Sequence, residues 1–241
     1  MISSIISKLP KYFSEGTIVM LSILLSFYLE DIRVTNEKSN YKNELVVDLQ
    51  KIIDNELNQL KNIKSLQNRC LVAGEELLSD LLNKDQLLTD REIADRLLLL
   101  MQRGTVSFFA QNGIYEEFKS TGSTELIKSK NFRYALSDTY NNLFQRNLAV
   151  SRIIDDYFFS AVARINKKII IISKEKKDEG YVYSELIPTY FKIDKEFYNS
   201  DEFLSDINQM KSLVERYLDL ISALEKSYND LKIYSQEELN S

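Results

Sequence analysis

Carboxylates are the most plentiful side chains here that can act as acids, bases or metal ligands, and several stand in adjacent pairs: Glu75 with Glu76, Glu116 with Glu117, Asp155 with Asp156. Neighbours on a helix point about 100° apart, so none of these pairs converges on one ion or one reacting bond. They read as solvated faces. The chain contains no histidine. A di-iron helical bundle with its Glu-x-x-His motifs therefore fails at the first ligand. So does a nucleophilic Cys70, which would want a histidine as base. Cys70 is the only cysteine, which excludes an intramolecular disulfide, and it reads as a small buried apolar residue. No catalytic residue, cofactor or metal ligand is indicated. The expectation is a non-enzymatic interaction, scaffold or regulatory module, with a carboxylate-dependent enzyme as the alternative.

Charge points the same way. The chain carries 31 basic and 36 acidic residues and a formal charge of −5, with the signs interspersed. Nucleic acid is not an expected partner, because a duplex would meet no basic stripe.

The elements behind these residues are helices. Only six glycines and two prolines occur in 241 residues, and no proline lies between Pro10 and Pro188, so the strongest helix breakers are missing from most of the chain. From about residue 36 to 68, Leu45, Leu49, Ile52, Ile53, Leu57, Leu60 and Ile63 recur at three- and four-residue steps, the mark of a long amphipathic helix. Gly74 suggests a break before a short helix around 75–82. Thr89 with Glu92 reads as a capping box opening a helix through Leu97 to Met101. Another long helix is expected from about 131 to 170, although its tail, Ile169 to Ile172, reads equally well as strand. The run from Lys174 through Lys177 to Gly180 reads as a solvated connection. At the C-terminal end Phe203, Ile207, Met210, Val214, Tyr217, Ile221, Leu224, Tyr228 and Leu231 step by four and three without a miss. That is a heptad seam. Leu204, Leu213, Leu218 and Leu220 widen it beyond a two-stranded coiled coil. Whether it is filled within one chain or in a homo-oligomer stays open.

One segment stands apart. Gly16 to Leu29 is an uncharged run of 14 residues, with Thr17, Ile18, Val19, Met20, Leu21, Ile23, Leu24, Leu25, Phe27 and Leu29 as its apolar body. It reads as a membrane anchor or, alternatively, as a buried core helix or an interfacial amphipathic segment. At ~1.5 Å per residue it gives about 21 Å of helix against a hydrocarbon core of about 30 Å, so a span needs Tyr12, Phe13, Ile32 and Val34 to extend it. No small-x-small cleavage site follows it. Lys8 and Lys11 face Arg33, Lys38 and Lys42 across it, a slight preference for a cytoplasmic N-terminus.

Tyr115-x-x-Phe118-x-x-Thr121-Gly122 is followed by Glu125-Leu126-Ile127-Lys128 and then by a long helix with Asp138 and Tyr140. Gly122 suits a helix-ending left-handed residue, with Ser123 or Thr124 capping the next helix. This corner, together with a glutamate-opened apolar span running into a charged helix from Glu15 to Leu60, resembles a bacterial family of small single-pass membrane proteins known only by a domain of unknown function. This chain departs from that family's pattern in leaving its span through Glu30-Asp31-Ile32-Arg33, without tryptophan. The resemblance implies a bacterial inner-membrane address and no known activity. The expected architecture is all-α: a membrane helix over residues 1–33, then an elongated helical bundle over residues 34–241 with long coiled-coil-like helices, open to a protein partner.

Overall fold

With its one proline, Pro10, confined to the first turn, where no helical N–H bond is lost, the N-terminal third forms one unbroken helix. α1 runs Leu9–Leu82, 74 residues or about 110 Å at ~1.5 Å per residue. It appears in a computed structural model that describes residues 9–83, 87–176 and 184–240. Residues 1–8 of the expected anchor and Lys177 to Gly180 of the expected connection lie outside the described residues. After α1 come α2 (Asp90–Arg103), α3 (Gly113–Ser120), a 3-10 turn (Ser123–Leu126), α4 (Lys130–Ser137), a π-helical segment (Asp138–Leu143) and α5 (Phe144–Ile165). A β-hairpin (β1 Ile169–Glu175, β2 Leu186–Ile193), the single turn α6 (Lys195–Tyr198) and α7 (Asp201–Leu239) complete the chain. The architecture is mostly helical, as expected.

α7 lies antiparallel along α1, with the composite helix α4–π–α5 and the shorter α2 and α3 closing the remaining sides. All nine seam residues from Phe203 to Leu231 are buried within this one chain. They meet Leu45, Leu49, Ile53, Leu60 and Ile63 of α1 in a single core. Each such side chain stabilises by about 1.5–3 kcal/mol relative to exposure.

Three expectations need correction. Gly74 does not break α1. A Cβ placed there would stand 3.0 Å from Cβ of Lys211 on α7, so the glycine serves the close approach of two helices, and 75–82 are the last turns of α1. The second long helix ends at Ile165 instead of Ile170. Ile169 to Ile172 are strand, paired Ile169 with Ile193 through Ile172 with Tyr190, as β-branched residues prefer. A bulge at Ile172/Ser173 brings Pro188 opposite Ser173, a place where a residue without an N–H is tolerated. Thirdly, the corner after α3 is followed by a 3-10 turn with no side-chain cap, not by a capped α-helix. Its Gly122 does take the left-handed conformation, with φ of 70°. The Thr89–Glu92 capping box is present as read.

Several charged residues are buried, each bonded to another part of the fold. Glu56 accepts from the N–H of Gln111 at 2.7 Å. Asp80 accepts from the N–H of Leu88 at 2.7 Å and from the Tyr198 hydroxyl at 2.6 Å. Asp206 receives Tyr157 and Arg164. Glu238 receives Lys42. Buried backbone groups need partners, and in this chain carboxylates supply many of them.

Candidate functional site

The apolar run on α1 lies outside the core. From residue 16 to 33 every residue is exposed, and Ile18, Leu21, Leu24 and Phe27, which point in different directions around the helix, are 63, 60, 51 and 70% exposed. The segment is therefore not the buried core helix of the alternative reading. Among the described side chains of α1, which begin at residue 16, the first buried one is Lys42. Between lies a charged stalk of about 18 Å at ~1.5 Å per residue, in which Arg33 bridges Glu30 and Glu37 on the exposed surface. Within the run the hydroxyls of Ser22 and Ser26 donate at 2.9 Å to the carbonyls of Ile18 and Ser22. Their polarity is satisfied inside the helix. Among the described residues, no helix is long and apolar enough to cross a membrane.

The corner residues are packing anchors. Tyr115 stacks on Tyr140 with ring centroids 4.8 Å apart, Phe118 meets Phe132 edge-on, and Ile127 is buried. Leu126 is half-buried, while Thr121 is exposed and donates to the Glu117 carbonyl at 2.7 Å. The structure thus joins corner and seam in one core and leaves the apolar run apart from both.

Sequence reading missed a wide cleft. About 1090 Å³ in volume, it lies between α1, α2, the start of β2 and the edge of α7. α1 contributes Lys61, Lys64 and Arg69; α2 contributes Arg91, Arg96 and Arg103. Two of these are paired across the walls, Lys64 with Glu225 and Arg96 with Glu76, each at 2.6 Å, and Arg91 is paired with Asp95 at 3.2 Å within α2. Arg103 donates to the Ser184 carbonyl at 3.0 Å and lies 3.8 Å from Glu175. Leu66, Val72, Ala73 and Leu99 give the cleft an apolar floor. No aromatic ring is among its described lining residues. Ser65 and Ser184 supply hydroxyls, but without a histidine in the chain neither has the usual activating base. The arrangement can bind an anion with apolar surface. The exposed faces of α1 and α2 carried this signal in the spacing of their cations, but acids placed among them hid it.

Cys70 sits beside this cleft, buried, with its thiol 3.7 Å from the Leu99 carbonyl. Burial pushes the thiol up to about 12, against the pull of Arg69 and Arg103. The folded protein is expected to resist iodoacetamide at pH 8 and to be alkylated once unfolded by urea, as followed by intact mass. Fast labelling of the folded form would place Cys70 in an open environment and contradict this packing. Among the described residues no group of carboxylates and cysteine is arranged to hold a metal ion. Comparison with protein-family models, with curated proteins and with solved structures finds no match.

Proposed function

We propose that this protein is a membrane-attached, non-enzymatic module, held by the helix Gly16 to Leu29 and presenting its helical bundle at the end of a rigid stalk. The observation that carries this reading is an apolar helix surface exposed around its whole circumference yet continuous with a well-packed bundle. A soluble surface seldom leaves so large a contiguous apolar patch uncovered. Self-satisfied serines suit a lipid surrounding, where no water serves a hydroxyl. The flanking Ile32 and Val34 and local bilayer thinning accommodate a short run. The likeness of the span and corner to single-pass bacterial proteins agrees with this address.

The test uses the full-length protein and its double variant Ile23→Arg/Leu24→Arg. Both positions are exposed and touch no core residue, so the bundle should keep its circular dichroism. Each arginine costs about 2.5–3.5 kcal/mol at the centre of a membrane segment. The parent protein is expected in the membrane pellet after an alkaline wash, the variant in the supernatant. Extraction of the parent protein by that wash would defeat the reading. A chain starting at residue 34 should fold on its own, since the core begins at Lys42.

A further inference from the structure

Pairing within the cleft leaves a definite remainder. Glu76, Asp95 and Glu225 are matched to Arg96, Arg91 and Lys64, and Glu185 is matched to Lys176 at 3.1 Å. Lys61 and Arg69, both exposed and both on the α1 wall, have no carboxylate within ion-pair distance among the described residues. Arg103, 16% exposed at its side chain, is held by the Ser184 carbonyl and by Glu175 3.8 Å away. Among the described residues, a chain of net charge −5 thus keeps two exposed cations, Lys61 and Arg69, without a paired carboxylate beside an apolar floor.

We propose that this cleft receives an extended acidic segment of a partner protein, its carboxylates meeting Lys61 and Arg69 and its alternate apolar side chains lying on Leu66, Val72 and Leu99. The dimensions favour a chain over a small anion. Lys61 and Arg69 are eight residues apart, about 12 Å along the helix. One carboxylate or phosphate would need both side chains to fold towards each other, whereas acids four residues apart on an extended chain, about 13 Å apart, match that spacing. The period of two along such a segment puts carboxylates and apolar groups on opposite faces, matching a cationic wall over an apolar floor. No aromatic ring is among the described lining residues to stack a nucleobase. A second copy in the commonest, two-fold arrangement would set this cationic patch against itself. Charge complementarity therefore selects an acidic partner. The cleft begins about 46 Å along α1 from Glu30 at ~1.5 Å per residue, well beyond the apolar segment. The proposal does not depend on membrane attachment.

Full-length protein in a neutral detergent is titrated into two fluorescein-labelled octapeptides, (Glu-Leu)4 and (Lys-Leu)4, with anisotropy as readout. The acidic peptide is expected to bind, to weaken when salt rises from 0.05 to 0.3 M as screening predicts, and to bind at least tenfold more weakly to Lys61→Glu/Arg69→Glu. Both substitutions lie at exposed positions, and an unchanged thermal midpoint confirms that the fold is intact. Absence of binding, equal binding of the basic peptide, or a double variant that binds as the parent does would each overturn the proposal. Displacement by an equimolar amount of citrate would overturn it in favour of a small polyanion. A protein that sediments as two copies, and as one after the double substitution, would overturn it in favour of self-association.

Discussion

Replacing Glu238 by alanine is expected to destabilise the fold by about 3–5 kcal/mol, the cost of stranding one partner of a buried ion pair. Its Oε1 accepts from Lys42 Nζ at 2.5 Å and from the Lys128 N–H at 3.1 Å, and its Oε2 accepts from the Ser129 N–H at 2.8 Å. The two side chains are 0 and 4% exposed. Alanine would leave an ammonium and two backbone N–H groups in the core at the point where α1, α7 and the start of α4 meet. The double variant Lys42→Met/Glu238→Leu should recover much of the loss, because it removes the stranded charge along with its partner. The carboxyl's ionisation follows the same contacts. Burial alone would raise it, but Lys42 and the N–H groups of Ser129 and Lys128 win and hold it below its usual value. A depressed folded value contributes stability that is present above the unfolded carboxyl's pKa of about 4.3 and is lost as pH falls through the folded one. Glu56 has the opposite sign. Burial raises its carboxyl against the N–H of Gln111, so its ionisation removes stability as pH rises from about 4.3 through the folded value. Glu56→Gln should thus match or exceed the parent at pH 7 and lose that slope, while Glu238→Gln should fall below it. Urea unfolding followed by circular dichroism from pH 4 to pH 8 measures both. Equal and neutral effects would mean that water reaches both sites.

The contrast between these glutamates also marks where sequence reading stopped. Periodicity located the seam down to single residues, because an apolar side chain's burial follows from its spacing along its own helix. Glu238 and Glu56 sit in stretches that look like any solvated helix face. Their burial depends on Lys128, Ser129 and Gln111, which are brought to them only by tertiary packing. The same holds for the cleft, whose two walls are separated in sequence by the turn between α1 and α2. Gly74 misled for a related reason: a glycine that admits a neighbouring helix and a glycine that ends one look alike until the neighbour, here Lys211, is in place. The isoleucine run was ambiguous in principle, since β-branching favours strand only when a partner strand exists, and that partner lies beyond Lys177 to Gly180. The apolar run was legible as an oddity, and its exposure decided against the core.

Tyr217→Phe is expected to cost about 2–4 kcal/mol although Tyr217 reads in the sequence as one more apolar seam position. Its hydroxyl accepts from the Phe108 N–H at 2.7 Å and donates to Asn147 Oδ1 at 3.0 Å, while Asn147 Nδ2 donates to the Phe108 carbonyl at 2.7 Å. α5 and α7 thereby satisfy both backbone groups of a residue in the connection between α2 and α3, all of it sealed from water. Removing the hydroxyl leaves a buried N–H and a buried amide oxygen without partners, at about 1–3 kcal/mol for each. Eleven residues on, in the same seam, Tyr228 supplies the control. Its hydroxyl is buried beside that of Tyr140, and neither has a hydrogen-bond partner of good geometry among the described residues. Tyr228→Phe removes a polar group that is already unsatisfied and should leave stability unchanged or raise it by up to about 1 kcal/mol. The midpoints of urea unfolding for the two variants, at equal m-values, separate them. If both variants shift alike, the seam tyrosines act through ring packing alone, and the connection at Phe108 is held by its own ring and not by this hydrogen-bonded triangle.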